Sequence, residues 1–509
     1  MPAAQEPPPD GRRDRSIFGP AMLLIGGRSV AVAITFIVPL VLARILAPSV
    51  FGTYRQLLLI FTTIYGIAQL GMAESLFYFL PSDPKRGGAY AGNAMLALAA
   101  AGAGVVVLLT SLEDSLAVAL GNPALQGLAA LVGGYLALMM VSAPLETILI
   151  SRGRHTLAST SYALSDVGRA LLMLLPALVW RRLDALFVGA IVFAALRLAA
   201  ALVYCRRAFG AGFRVDPPDL GKQLAYALPL QLAAALEIVQ ANFHSYVVSS
   251  RFDAATFAVY SIGCLQIPLV DLIASSACGV MMVRMRERVT RGEPEAIMPI
   301  WRDTTRKLAL LLVPLLCVLW ITAHDLLALL FTEVYSAGVP VFRIWLGVLL
   351  LAAIPAHGPL RVLDDTRFLA LQTLVKLVVV AVFTIGFLSA FGLPGAVLIA
   401  LGAMLIGKSM LLSRLARRTG SPLWRVLPWR SYAGILFAGA AATVPAVAVR
   451  SAANSSIERL ALAGAAYVIA YAVIVWCFGM LDPAEKQRVL SLVRRGGSRS
   501  TDPRTCRVA

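Results

Sequence analysis

The sequence predicts an all-α polytopic membrane protein of about fourteen transmembrane helices: two six-helix bundles with an inward/outward cavity, plus two extra C-terminal helices. Three observations predict it. Hydrophobic residues make up 59% of the 509 and charged residues only 14%, where a soluble domain carries about a quarter. Apolar runs long enough to cross ~30 Å of hydrocarbon recur from one end to the other. Basic residues crowd into every second connection between those runs, as the positive-inside rule requires. A soluble enzyme and a disordered chain are both excluded.

Met1–Ser16 is proline-rich and carries Arg12, Arg13 and Arg15. It reads as a disordered cytoplasmic tail rather than a signal peptide, because the apolar run after it is long and ends in no small-residue cleavage site. Six spans follow, near Ile17–Ala43, Phe51–Leu80, Ala89–Thr110, Ala124–Ile150, Leu157–Trp180 and Ala185–Tyr204, giving a first bundle over 17–205. A cytoplasmic linker (206–223) leads to a second bundle (224–412), with spans near Leu224–Ser249, Ala254–Val283, Leu308–Phe331, Val339–Ala356, Phe368–Leu388 and Leu393–Leu412. A cytoplasmic loop (413–431) precedes the additional pair (432–480), Tyr432–Val449 and Leu460–Met480, and a basic cytoplasmic tail occupies 481–509. The charged stretch Arg284–Lys307 is expected to extend the eighth span as helix.

An even span count puts both termini on one side. Of the 45 Lys and Arg residues, 32 fall on that side, 6 on the other and 7 inside spans. Missing one span near the middle would destroy this asymmetry, so the termini are placed in the cytoplasm. The net charge of +18 then serves topology and contact with anionic lipid headgroups, and no nucleic-acid partner is implied. The six cysteines form no CxxC pair and the four histidines no HExxH cluster, so no disulfide framework, metal site or cofactor is expected. The loops opposite the termini are too short for a catalytic domain.

Phe51-Gly-Thr-Tyr54 in the loop after the first span is matched by Phe257-Ala-Val-Tyr260 after the seventh, 206 residues on, with Arg44 and Arg251 preceding them. With the six, six and two spans, this suggests two homologous bundles with a site between them near the midplane; the alternative is coincidence in a low-complexity membrane sequence. Prolines inside the spans (Pro39, Pro176, Pro229, Pro268, Pro314, Pro340, Pro355) are candidate hinges.

Charges at the bilayer centre cost roughly 3 to 10 kcal/mol and usually face a cavity or a partner. Arg28 lies ~16 Å into the first span at 1.5 Å per residue. Arg55 and Glu74 lie in the second, Glu237 and His244 in the seventh, Gln266 and Asp271 in the eighth, and Lys376 in the eleventh. These eight are the candidate substrate-binding residues, most of them on matching helices of the two repeats. Other charges have structural readings. Asp166 and Arg169 can neutralise each other at i,i+3; Arg197, Lys408 and Arg343 can snorkel to an interface; Glu146 and Asp325 lie near helix ends.

Several segments carry a family resemblance. Leu42-Ala-Arg-Ile-Leu-Ala-Pro-Ser-Val-Phe-Gly-Thr-Tyr54, Gly71-Met-Ala-Glu-Ser-Leu-Phe-Tyr-Phe-Leu-Pro81, Phe331-Thr-Glu-Val-Tyr-Ser-Ala-Gly-Val-Pro-Val-Phe-Arg-Ile344 and Gly392-Leu-Pro-Gly-Ala-Val397 resemble motifs of the polysaccharide flippases of the multidrug/oligosaccharidyl-lipid/polysaccharide exporter superfamily. Lys376 and its valine run stand where that family often has Asn, and Thr332 and Glu333 lie near a replaced motif Gly. The resemblance implies a carrier, not an enzyme, that moves a polyprenyl-diphosphate-linked oligosaccharide to the outer leaflet of a bacterial inner membrane, in company with a glycan polymerase and glycosyltransferases. In that setting Arg28, Arg55 and Lys376 would meet the diphosphate, since guanidinium offers a planar fork to phosphoryl oxygens. Glu237, His244, Gln266 and Asp271 would bind sugar hydroxyls or a coupling ion, Glu74 would line the cavity, and the uncharged extra pair would flank the lipid tail. The rivals are a multidrug/cation antiporter of the same superfamily, a membrane enzyme acting on lipid-linked sugars (with Glu113 and Asp114 in a loop facing the right compartment), and a structural scaffold, which leaves the midplane charges unexplained.

Overall fold

The computed structural model describes residues 36–451, 455–483, 485–487 and 491. Arg28 and most of the first expected span lie outside the described residues. The helices are α1 (Phe36–Ile45), α2 (Pro48–Ala68), α3 (Met72–Ser82), α4 (Gly87–Ser111), α5 (Glu113–Ala119), α6 (Ala129–Ser142), α7 (Pro144–Ser151), α8 (His155–Trp180), α9 (Leu183–Phe209), α10 (Pro217–Arg251) and α11 (Ala254–Gly263). The second half continues with α12 (Pro268–Thr290), α13 (Ile297–Ile321), α14 (Ala323–Phe331), α15 (Val339–Trp345), α16 (Gly347–Ala352), α17 (His357–Val362), α18 (Thr366–Phe391), α19 (Leu393–Thr419), α20 (Leu423–Val426), α21 (Trp429–Arg450) and α22 (Ser456–Cys477). Thirteen stretches among the described residues are helical, long and apolar enough to cross a membrane. With α1 as the described part of the first span, the helical, about-fourteen-span reading holds. The charged fifth and sixth spans form uninterrupted helices, α8 and α9; of the Arg284–Lys307 stretch, only the part up to Thr290 extends the eighth span, as α12, and the part from Ile297 opens α13 after a turn.

The fourth and ninth spans are only interrupted, at Ala143 and Thr322, but three others lose their helical course where hydropathy gives no warning. The second divides into α2 and α3 because Leu70 and Gly71 both take left-handed backbone (φ 54° and 66°). A Cβ on Gly71 would also sit 3.0 Å from the Ala227 carbonyl, so glycine is required there twice over. The eighth divides into α11 and α12 at 264–267, where Ile267 is extended ahead of Pro268, as the residue before proline prefers. The tenth unwinds over 353–356 around Pro355. Of the candidate hinges, Pro176, Pro229 and Pro314 lie inside unbroken helices, whereas Pro268 and Pro340 start helices, where a missing N–H costs nothing.

Contacts divide the chain into two units, Met1–Ser261 and Ile262–Ala509. In the first, α3, α4, α7, α9 and α10 share a core that includes Met72, Leu76, Leu98, Met140, Ile148 and Cys205. The connection into α10 is fixed by Arg86, which bridges to Asp216 (3.2 Å) and the buried Asp219 (3.1 Å), and by Asn93, which donates to the Asp216 carbonyl and accepts its N–H.

In the second unit, Met281, Met285, Trp301, Leu360 and Leu411 anchor one core, and the α21–α22 pair packs on α13 and α14 through Ile321, Ala442, Ala446 and Tyr467. Both ends of that pair are clamped by charge. Asp325, 1% exposed, receives Arg450 at 2.7 Å and Arg459 at 3.6 Å. At the other end Arg306 reaches Asp482 (2.6 Å), Glu485 (2.7 Å) and the Met480 carbonyl (2.9 Å). Asp325→Asn is expected to destabilise the second unit by about 2 kcal/mol, less than the loss for a fully buried pair because both arginines keep some water. Thermal unfolding in detergent measures it, and an unchanged transition would show the clamp to be idle.

A second clamp ties the turn before α18 to α19. Asp365 accepts from Arg414 (2.6 Å) and Arg418 (3.0 Å), and those hydrogen bonds hold its carboxyl down at about 2. A depressed carboxylate stabilises the fold above its unfolded pKa and ceases to do so as pH falls through its folded value. Asp365→Asn should therefore lower Tm by about 3 °C at pH 7, with the gap to wild type closing between pH 4 and 2. A gap that persists at pH 2 would contradict the assignment.

Candidate functional site

In the first unit the long helix α10 lies along α2, and polar side chains line the seam. Gln231 donates to the carbonyls of Gly66 and Ile67 (3.2 Å to the latter), in the last turn of α2 before the α2–α3 break. Asn242 donates to Thr63 (2.9 Å) and Tyr246 to the Leu59 carbonyl (3.4 Å). Deeper in the seam Gln56, fully buried, donates to Ser249 (3.0 Å) and the Leu120 carbonyl (3.2 Å) and accepts from Asn122 (2.6 Å), which also donates to Thr53 (2.8 Å). Satisfied networks of this kind fix one register between helices.

Two expected site residues converge at the end of α11. Arg55 donates from Nε to the Ser261 hydroxyl (2.9 Å) and from Nη2 to the Ser261 carbonyl (3.2 Å). Next to it, Tyr260 is hydrogen-bonded to Nδ1 of the buried His244 at 2.6 Å. Arg55 and Ser261 stand 206 residues apart, the offset that relates Phe51 to Phe257. Glu74 on α3 and Glu237 on α10 are exposed. Glu237 lies three and seven residues from the buried Gln240 and His244, so the three share a face of α10. In the second unit Gln266 is in the α11–α12 break and Asp271 in the first turn of α12, both exposed. Lys376 is 7% exposed, between α18 and α19.

Two expectations about structural charges are corrected. Arg197 does not snorkel: it is held inward by Glu146, 3% exposed, at 2.7 Å, and Glu146 also accepts from Ser161 (3.0 Å). Lys408 is held inward too, donating to the Ile354 carbonyl (2.5 Å) in the unwound part of the tenth span. The Asp166–Arg169 pair forms as expected, at 2.7 Å. Glu146 and Arg197 are 51 residues apart on separate spans, and the only signal for them in the sequence is their opposite charge.

The acidic pair suggested for an enzyme is used to shape a loop: Asp114 accepts from Gln126 (2.8 Å) and Glu113 from the Gly127 N–H. Among the described residues, Asp303, Asp482 and Glu485 bring carboxylates within 4.8 Å of one another. Arg306 reaches all three, so they already hold a guanidinium where a metal would have to sit.

A family model for polysaccharide biosynthesis proteins matches residues 41–340, more than half of the chain. The chain belongs to the polysaccharide biosynthesis protein family. No curated protein matches it in sequence. This family member is similar in structure to the lipid II flippase MurJ in an inward closed conformation (TM-score 0.69, 11% identity, 88% of this chain and 98% of that one). It is also similar to an inward-facing multidrug resistance MATE family transporter (0.59, 15%, 79% and 98%) and to a transporter from Pyrococcus furiosus whose binding pocket is described as reversed in polarity (0.54, 16%, 78% and 94%). At these identities the likeness establishes the fold alone, one shared with MurJ and with the MATE family transporters.

Breaking the Glu146–Arg197 pair in this polysaccharide biosynthesis protein leaves a buried cation. Glu146→Ala is expected to cost about 3 kcal/mol, and Glu146→Ala combined with Arg197→Met to recover most of it. Thermal unfolding of the two variants decides this; a double variant no more stable than the single would show that the pair does not act as a unit.

Proposed function

We propose that the protein is a flippase that carries a polyprenyl-diphosphate-linked oligosaccharide from the inner to the outer leaflet by alternating access, for assembly of a cell-surface polysaccharide. The observation that carries this reading is the family match, set on a fold shared with a lipid flippase. Cationic side chains at spanning depth support it: Arg55 beside Ser261 in the first unit and Lys376 in the second, with Arg28 expected to add a third. A diphosphate needs such multidentate donors. Exposed Glu74 and Glu237 in the first unit, and Gln266 and Asp271 in the second, fit contact with water better than with hydrocarbon, given the cost of a charge in lipid. The basic face is read as cytoplasmic, in a bacterial inner membrane, with glycosyltransferases supplying the substrate and a polymerase consuming it. The protein itself makes and breaks no bond in this scheme.

A cation-coupled multidrug antiporter is the second reading, favoured by the MATE-like fold and by the same three carboxylates. Flipping of a labelled polyprenyl-diphosphate glycan in proteoliposomes tests the first. Arg28→Ala and Arg55→Ala should each lower the rate at least about tenfold, and the Lys variants should retain an intermediate rate because a point charge keeps attraction but loses the fork. An anion moving out of a negative interior is driven by ~2.3 kcal/mol per charge per 100 mV, so collapsing the potential should slow flipping while removing Na⁺ and the pH gradient should not. Drug accumulation without glycan flipping would establish the antiporter instead.

A further inference from the structure

Four aromatic rings gather in the first unit where the end of α3 meets the first turns of α10, toward the basic face. Tyr78 stacks on Tyr226, with ring centroids 4.8 Å apart and planes 16° from parallel. Phe79 stands edge-on to both, at 5.1 Å and 5.6 Å, and leans on Tyr90 at 5.2 Å. Phe79 is half-buried and Tyr90 buried, whereas Tyr78 and Tyr226 are 54% and 41% exposed. The inner rings hold the outer two in place, so the exposed pair is a fixed shelf.

Exposed tyrosines near a membrane surface ordinarily belong to the aromatic belt that meets lipid headgroups. Two observations set this pair apart. On α10, at ~100° per residue, Tyr226 shares an arc with Lys222, Glu237, Gln240 and His244, with Leu230 at its edge. The exposed Leu228, Leu232 and Val239 lie on the opposite side, so the side of α10 that suits lipid is not the side that bears Tyr226. On α3, Glu74 is exposed one turn before Tyr78 on the same face. It stands ~12 Å from the Ser82 end of the helix at 1.5 Å per residue, where a carboxylate against acyl chains would be costly.

The shelf offers a particular chemistry. The face of an aromatic ring is its negative face. One side of a pyranose presents C–H groups of the opposite partial charge, while its hydroxyls point out around the rim. A carboxylate beside such a ring accepts hydrogen bonds from those hydroxyls and has no donor for a phosphoryl oxygen. We propose that Tyr78 and Tyr226, with Glu74 beside them, form a subsite for a sugar ring: the pyranose lies on the exposed tyrosine pair and Glu74 accepts from its hydroxyls. That the sugar belongs to a carried lipid-linked glycan rests on the flippase reading; the same chemistry would hold a free oligosaccharide.

The test uses the full chain in phosphatidylcholine nanodiscs, with thermal stabilisation as the readout. Three probes are titrated: the lipid-linked oligosaccharides extracted from membranes that contain the protein, the free oligosaccharide released from them by mild acid, and bare polyprenyl diphosphate. Tyr78→Leu and Tyr226→Leu, which keep an apolar side chain and lose the ring face, should weaken binding of the lipid-linked oligosaccharide by about tenfold while bare polyprenyl diphosphate binds as before. Tyr226→Phe, which keeps the ring, should keep most of the affinity. Glu74→Gln alters an exposed residue, folds whether or not the leucine variants do, and should weaken the same probe severalfold. Stabilisation by the lipid-linked probe alone makes the carried glycan the ligand; equal stabilisation by the released oligosaccharide makes it a free sugar. Wild-type affinity in Tyr226→Leu and Glu74→Gln, or no response to either oligosaccharide, overturns the subsite and leaves the tyrosines as belt residues. An equal loss of bare polyprenyl diphosphate also overturns it, because the sugar is then not what the shelf reads. Oligosaccharide binding that these variants weaken, in a protein that flips no glycan, keeps the subsite and removes the flippase reading; glycan flipping with affinity unchanged in the variants does the reverse.

Discussion

Every peptide group at spanning depth has to find its hydrogen bond within the protein, because hydrocarbon offers none. Most of this chain meets that demand by being helix. At two of the three breaks a polar side chain from a neighbouring helix serves the freed carbonyls: Gln231 of α10 serves Gly66 and Ile67 at the end of α2, and Lys408 of α19 serves Ile354. These two breaks therefore call polar residues into the membrane beside them. The polar side chains there hold neighbouring helices at one register and put the chemistry beside the breaks.

The spans themselves were legible in the sequence because crossing a membrane takes length and apolarity, and both are read one residue at a time. The charged interruptions of the fifth and sixth spans did not mislead, since α8 and α9 absorb Asp166, Arg169 and Arg197 without losing a turn. The motifs around Leu42–Tyr54 and Phe331–Ile344 pointed to the family that the 41–340 match establishes. Main-chain conformation was less legible. Leu70 with φ 54° stands in an apolar run like any other leucine, and hydropathy does not record a dihedral angle. Long-range pairing was the least legible. Arg197 taken alone looks like a residue that bends toward water, and only the fold brings Glu146 to it. The same holds for Lys408, whose partner is a carbonyl that exists as a free acceptor only because the tenth span unwinds. Of the eight candidate site residues, Arg55 and His244 meet at consecutive positions on α11, an arrangement that no spacing in the sequence announces.

The C-terminal pair illustrates a different balance. Its helices share an apolar face with α13 and α14, but apolar contact inside a membrane has little hydrophobic advantage over contact with lipid. The ionic clamps at Asp325 and Arg306 supply the discrimination that apolar packing lacks, and they sit at the helix ends, where the charged groups reach water and the cost of burial is moderate.

The Arg55–Ser261 contact has two anchors of different kinds, a hydroxyl that receives Nε and a main-chain carbonyl that receives Nη2. Substitution at position 261 can remove the hydroxyl and leaves the carbonyl where it is, because every residue type brings the same peptide group. The guanidinium is therefore held partly by the path of the main chain at the end of α11, and that share of its position is beyond the reach of any single side-chain exchange.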